Sequence, residues 1–535
     1  MRTHSLLAAT AALLAAAPLA AQQTRAERTD YRETSTYADV LGFLDSLQAR
    51  GAGLRTWDIG KSTDGRAIPV VLLARPQITT PEQAHASGKP IVYVQANIHA
   101  GEVEGKEAAQ MLLRDLTLGP LRSLADKLVL LVVPIYNIDG NEDFKPGEVN
   151  RPGQNGPALV GRRSNGQGLD LNRDYVKLEA PETRGSLALL ERWRPDVFMD
   201  LHTTNGSYHG YALTWSPGLN ANVTPASRWT RDVFLPEVQR RVRQRHRVET
   251  FPYGNFRNQN PDSLVQGWET YDGRARYGTN WAGMQGRISV LSEAYSNDPL
   301  RERVRATYAF VQEVLQLVAE RRRDVKALTA PGLPKTPDSV AVRSALAPPV
   351  IRSVVAEITH PDTTLPPRQR DNGYAHRIRT GVFRTIAMPV FDRFAPTRMR
   401  KVPTGYLIPA RLDTVVALLK AQGIQVAELA DGWRAPTEAF LVDSVTHAPR
   451  KFEGHNTTTV EGRWGAEAPG QVSDRWYYVS TAQPLGLLAA YLVEPDSEDG
   501  LVTWNVLDAE LAPGQPYPIL HATGAFAAAG VKPRE

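Results

Sequence analysis

Between Ser35 and Lys326 the apolar positions follow two alternating patterns. One is the short continuous run bounded by turn residues: Ile68–Leu73, Ile91–Ile98, Leu128–Ile135, Val197–Leu201 and Ile288–Leu291. Such runs predict strands buried on both faces. The other is the helical period. It occurs over Ser35–Gln48 ahead of Gly51, over Glu104–Leu116 with Ala108, Met111, Leu112 and Leu116 on one face, and over Leu187–Trp193. A long helix is expected from Pro299 at its first position, striped by Val304, Tyr308, Val311, Leu315 and Val318. Strand and helix in alternation predict an α/β fold with helices packed on a largely parallel sheet.

The texture then changes. Residues 330–350 carry Pro331, Pro334, Pro337, Pro348 and Pro349, which block helix and central strand and predict a linker or extended connection. Beyond it, β-branched stretches such as Val354–Ile358 and Leu501–Val506 are separated by turn residues, with one helical segment at Leu412–Gln422. The expected organisation is an export signal over 1–21, a first domain over 22–329, the linker over 330–350 and a smaller β-rich domain over 351–535. The signal reading rests on Arg2 and His4 ahead of the apolar run Leu6–Ala17, with cleavage expected between Ala21 and Gln22. It predicts an exported chain, periplasmic or secreted in a bacterium, with no membrane insertion of the mature protein, because no apolar run reaches spanning length.

Composition narrows the chemistry. Of 535 residues, 42% are apolar and 22% charged, values of a globular chain. Lys and Arg total 62 against 57 Asp and Glu, so no dense cationic surface points to nucleic acid. There is no cysteine, which excludes disulfides, a thiol nucleophile and thiolate-ligated zinc. Any metal must be held by His, Asp and Glu.

A candidate set of such ligands is present. His99 and Glu102 fall where a buried strand gives way to a helix. H-x-x-E alone is a common pattern, but His202 ends a second strand, and ligand sites gather at the carboxyl ends of strands in open α/β sheets. Three protein ligands leave a position open for water, the catalytic arrangement for zinc. Asp170-Leu171-Asn172-Arg173 offers an acid able to orient a metal-bound histidine and an amide–guanidinium pair suited to a carboxylate. Glu293, alone at the end of an apolar strand, is a candidate general base. Other conspicuous features have blander readings. The run Arg240–Arg247 suits a solvated helix end, His209 a hydrogen-bonded loop, and Asp200 a structural or supporting acid; Trp281 fits core or pocket wall equally.

In this order the residues resemble the zinc carboxypeptidases of the funnelin type, the M14 metallopeptidases that include carboxypeptidase A, over roughly residues 30 to 326. The resemblance implies an α/β/α sandwich with a mixed, mostly parallel sheet, and one zinc ion on His99, Glu102 and His202. It implies Asp170 behind the first histidine, Asn172 and Arg173 on the terminal carboxylate of a peptide or protein substrate, and Glu293 as general base. Asn137-Ile138-Asp139-Gly140 stands where the family has an N-P-D-G turn. The oxyanion arginine falls on Arg163 or its neighbour Arg162, the mobile substrate tyrosine on Tyr271 or Tyr277, and the position reading the last side chain on Thr279. Digestive members carry arginine between the first two ligands, where this chain has Gly101. The activity so implied is metallocarboxypeptidase. The alternatives are a related zinc amidase acting on cell-wall peptides or N-acyl substrates, and an inactive peptide-binding module.

Overall fold

The computed structural model describes residues 22–204, 206–364, 377–429, 436–467 and 475–524. The expected export signal lies outside the described residues. Eight strands form the principal sheet: β1 (Arg55–Lys61), β2 (Ala67–Leu73), β3 (Ile91–Ala96), β4 (Val129–Val133), β5 (Val197–Thr203), β6 (Leu213–Pro217), β7 (Thr250–Pro252) and β8 (Ile288–Ala294). Their order is β1-β2-β4-β3-β5-β8-β6-β7. The centre, β4-β3-β5-β8, is parallel, and antiparallel pairs join β1 and β2 on one side and β6 on the other. The mixed, mainly parallel sheet is the expected one. Its central strands are buried along their whole length, as continuous apolar runs require.

Helices cover both faces. α1 (Tyr37–Ala49) starts in a capping box in which Thr36 and Asp39 each satisfy the other's backbone N–H. α2 (Glu104–Thr117), α3 (Pro181–Trp193), α4 (Leu235–His246), α5 (Gly278–Met284) and α6 (Leu300–Glu320) follow. Pro299 caps α6 rather than occupying its first turn. The basic run departs from its solvated reading on one face. Arg241 is buried between Glu237 (2.8 Å) and Glu320 (2.7 Å), while Arg245 and His246 reach the buried Glu313 at 2.9 and 2.8 Å. Those arginines join α4 to α6; Arg240 and Arg243 face water.

Within 330–350, Ser339–Leu346 is a strand, β9, paired antiparallel with Phe394–Lys401. β10 (Val350–Pro361) and β11 (Arg377–Phe391) form a long hairpin, and Trp268–Glu269 pairs with Val390 and Phe391 of β11. A small core beneath them draws Tyr211, Phe256, Leu264 and Trp268 together with Val354, Ala356, Met388 and Val390. A six-stranded sheet follows, built on β12 (Gly405–Pro409), β13 (Thr437–His447), β14 (Thr458–Glu467), β15 (Trp476–Ser480) and two shorter strands, with α7 (Asp413–Ala421) and α8 (Gly486–Val493). Leu501–Val506, expected as a strand, is instead a series of hydrogen-bonded turns; Leu501 and Val502 are buried by packing, with the Leu501 N–H on Leu492 O.

Trp281 is core. Its indole N–H donates to Gln422 Oε1 at 2.8 Å, and the Gln422 amide donates to Tyr175 O at 2.7 Å, all buried. One side chain just past α7 thus satisfies two polar groups of the first domain. Gln422→Ala leaves both unpaired and is expected to cost about 2–3 kcal/mol. Urea unfolding of the full chain reads this as a lower midpoint; an unchanged midpoint rules out the bridge.

Candidate active site

His99 follows β3 through a turn opened by Asn97, whose φ of 67° places it in the left-handed region that asparagine tolerates. The Asn97 amide donates to Ala100 O and Glu102 O, and the Glu102 N–H donates to His99 O at 2.9 Å, so His99 and Glu102 share one tight turn. Gly101 between them is forced by space: a Cβ there would sit 2.8 Å from Gly161 O. Asn137, first in the N-x-D-G turn, donates to Ile98 O and Arg163 O and ties the loops carrying His99 and Arg163 together. His202 comes from the end of β5. The parallel register sets Glu293 of β8 directly beside it.

The three candidate ligands converge. His99 Nδ1 lies 3.1 Å from Glu102 Oε1, His202 Nδ1 3.0 Å from Glu102 Oε2, and the two Nδ1 atoms 3.2 Å apart. Behind them, His99 Nε2 faces Asp170 Oδ1 at 2.9 Å and His202 Nε2 faces Asp200 Oδ2 at 2.9 Å. Carboxylates at both Nε2 atoms keep the ring protons there, which is a tautomer inferred from the network. Two Nδ1 lone pairs and a carboxylate are left pointing at one spot, a donor set that fits a zinc ion.

The surrounding charges suit a carboxylate ligand. Burial would raise the Glu102 pKa, but Arg151 at 3.1 Å and then His99 hold it well below the usual range. Asp170 behaves alike: burial opposes ionisation, and His99 and Arg163 outweigh it. Burial pushes Glu293 the other way, up to about 8, with His202 opposing the shift.

One cleft of about 100 Å³ is lined by His99, Glu102, His202, Arg163, Asn172, Arg173, Tyr271, Tyr277, Thr279 and Glu293, with Thr203, Tyr253 and Leu291. Arg163 reaches it while bonding Asp170 Oδ2 at 2.8 Å, with its Nη1 3.6 Å from Glu102. Arg162, the other oxyanion candidate, does not reach it: its guanidinium donates to Ser164 O and Asn165 O and pairs with Asp143. Adjacent residues in this extended loop point to opposite sides, so only one can face the metal ligands. Asn172 places its amide 3.4 Å from His202 Nε2 and accepts the Gly278 N–H at 2.9 Å. Arg173 lies over the Tyr277 ring at 4.0 Å. The Tyr271 hydroxyl donates to Asn280 Oδ1 at 3.2 Å. Both candidate tyrosines line the cleft. His209 stays out of it, buried against Tyr295 with ring centres 4.3 Å apart and held neutral by burial, its pKa pushed down to about 3.

Sequence reasoning missed Arg151 and Tyr253. Arg151 sits in an irregular loop, donates to Thr203 O and Thr204 O, and fixes Glu102. No motif or period marks either residue. The orienting acid gives a direct check. Asp170→Asn removes the charge behind His99 and is expected to weaken zinc binding about 10–100-fold, read by competition with a graded chelator. Unchanged affinity would deny Asp170 that role.

The zinc carboxypeptidase family profile matches residues 40–285. Carboxypeptidase 2 of Trichophyton rubrum is 24% identical over 498 residues, covering 89% of this chain and 85% of that protein. Carboxypeptidase 2 of Trichophyton equinum is 25% identical over 483 residues, covering 86% and 81%. The structure of carboxypeptidase A from Helicoverpa armigera aligns with a TM-score of 0.41 and 16% identity over 59% of this chain and 80% of that one. The likeness to the fungal proteins continues past residue 285 into the C-terminal region. The chain is a zinc metallopeptidase that carries a carboxypeptidase domain of the M14 family.

Proposed function

We propose that the protein is a carboxypeptidase that releases single residues from free peptide C-termini, with His99, Glu102 and His202 holding one zinc ion. The observation that carries this reading is the shared cleft: the Asn172–Arg173 pair opens onto the same space as the metal ligands and Glu293. Zinc, when bound, supplies Lewis acidity, lowering the pKa of water and polarising a carbonyl.

The chain's own residues do the rest. Arg173 and the Asn172 amide hold the terminal carboxylate, a planar anion matched by a guanidinium fork, and so place the last peptide bond beside His99 and His202. Glu293 removes a proton from water at its carboxylate and returns it to the leaving amine. Its buried position raises its basicity relative to a solvated carboxylate. Arg163 directs N–H groups at the scissile oxygen as negative charge grows there. Tyr271 and Tyr277 wall the cleft and exclude water, and Thr279, neither charged nor aromatic, faces the last side chain. Export, with cleavage after Ala21, belongs to the same reading and is tested by N-terminal sequencing of the secreted protein.

Two measurements test the enzyme. Glu293→Gln is expected to keep zinc and lose about 10³-fold or more in kcat; near-normal turnover would remove Glu293 as the base. A peptide mixture, each member with free and amidated C-termini, is expected to lose single residues from the free acids only, as mass spectrometry would show. Equal cleavage of the amides would favour the zinc amidase.

A further inference from the structure

Arg276 joins the C-terminal region to the carboxylate grip. Its main-chain N–H donates to Asp499 Oδ2 at 2.6 Å and its Nε to Asp499 Oδ1 at 2.9 Å. Trp504 Nε1 donates to the same Oδ1 at 2.9 Å. The Arg276 guanidinium lies against two adjacent rings of the C-terminal region, 4.6 Å from Trp504 and 5.1 Å from Phe452. Asp499, Trp504 and Arg276 are all buried, and none of them lines the metal cleft. The next two residues are those that touch the grip. Tyr277 presents its ring to Arg173, and Gly278 donates its N–H to Asn172 Oδ1. Gly278 is itself wedged, since a Cβ there would lie 2.7 Å from Tyr175.

A buried ion pair is weak evidence for stability, because desolvation offsets most of the attraction. Its geometric effect is clearer. Arg173 has a long side chain with much rotamer freedom, and binding must freeze it. A fixed aromatic face at 4.0 Å freezes it beforehand through a cation–π contact. That face is fixed only if the Arg276–Gly278 segment is.

We propose that Asp499, seconded by Trp504, is a positioning residue for the substrate carboxylate. By holding Arg276 it sets Tyr277 against Arg173 and Gly278 against Asn172, so the C-terminal region pre-forms a binding site on the catalytic domain. This rests on the reading of Asn172 and Arg173 as the carboxylate grip.

The test compares kcat and KM of the zinc-loaded full chain on one peptide as free acid and as amide. The variants are Asp499→Asn, Tyr277→Leu, their double variant, and Arg411→Ala, which breaks only the exposed pair with Glu510. Asp499→Asn is expected to raise KM for the free acid about five- to tenfold with kcat within about twofold and zinc content unchanged, and the double variant to raise KM by clearly less than the product of the two single effects, because Tyr277 carries one of the two routes from Asp499 to the grip. Arg411→Ala is expected to match wild type. An unchanged KM, additive effects of the two substitutions, or a joint fall of kcat and zinc content would overturn the proposal. Should Asp499→Asn fail to fold, Trp504→Phe keeps the ring and removes one donor; it is expected to raise KM about two- to threefold, and no change overturns the proposal. The amide separates the two layers. A wild type indifferent to amidation overturns the grip and this proposal with it. A wild type that prefers the free acid, with Asp499→Asn keeping that preference in full, overturns this proposal alone.

Discussion

Asp170 is where the parts of the site meet. One oxygen accepts from His99 Nε2 and from the Asn172 N–H; the other binds Arg163 and lies 3.8 Å from Arg173. Its own N–H donates to Glu453 of the C-terminal region. His99, Arg163 and the Asn172–Arg173 pair are therefore referred to one buried carboxylate. A buried anion is tolerated only when its lone pairs are filled, and this one has them filled by groups that also line the cleft. The central sheet supplies the frame: parallel β5 and β8 set His202 and Glu293 side by side, and β3 ends beside Leu201 and feeds the turn that carries His99.

Much of this was legible in the sequence. The buried strands declared themselves as continuous apolar runs, and His99, Glu102 and His202 sit at their ends, where sequence position translates directly into place. Glu293 was legible because an acid closing an apolar strand needs a reason. Residues in irregular backbone were less so. Arg162 and Arg163 differ by one position, and only the fold decides which faces the cleft. Arg151 reaches Glu102 from a loop without periodicity. Leu501–Val506 read as a strand because β-branched composition reports burial as readily as sheet pairing.

The C-terminal region was the least legible part, since beside the pairing of Trp268–Glu269 with β11 and the small core beneath it, its relation to the first domain includes single long-range contacts. Gln422 on Trp281, His455 on Glu179 and Asp499 on Arg276 are each one side chain reaching across. None leaves a pattern in a linear sequence. Together they tie the second half of the chain to the first at its core, at Glu179 and at Arg276, next to the Tyr277 that lines the cleft of about 100 Å³.

The pairing of Trp268–Glu269 with β11 bears on how such a protein can be divided. A fragment stopped near residue 329 would keep His99, Glu102, His202 and Glu293, yet it would lose the β10–β11 hairpin that covers this strand and half of the small apolar core around Trp268. What remains would present an unpaired strand edge beside bare aromatic surface, the combination that recruits other chains. The unit that can be moved or fused therefore reaches past residue 329 and includes at least the β10–β11 hairpin.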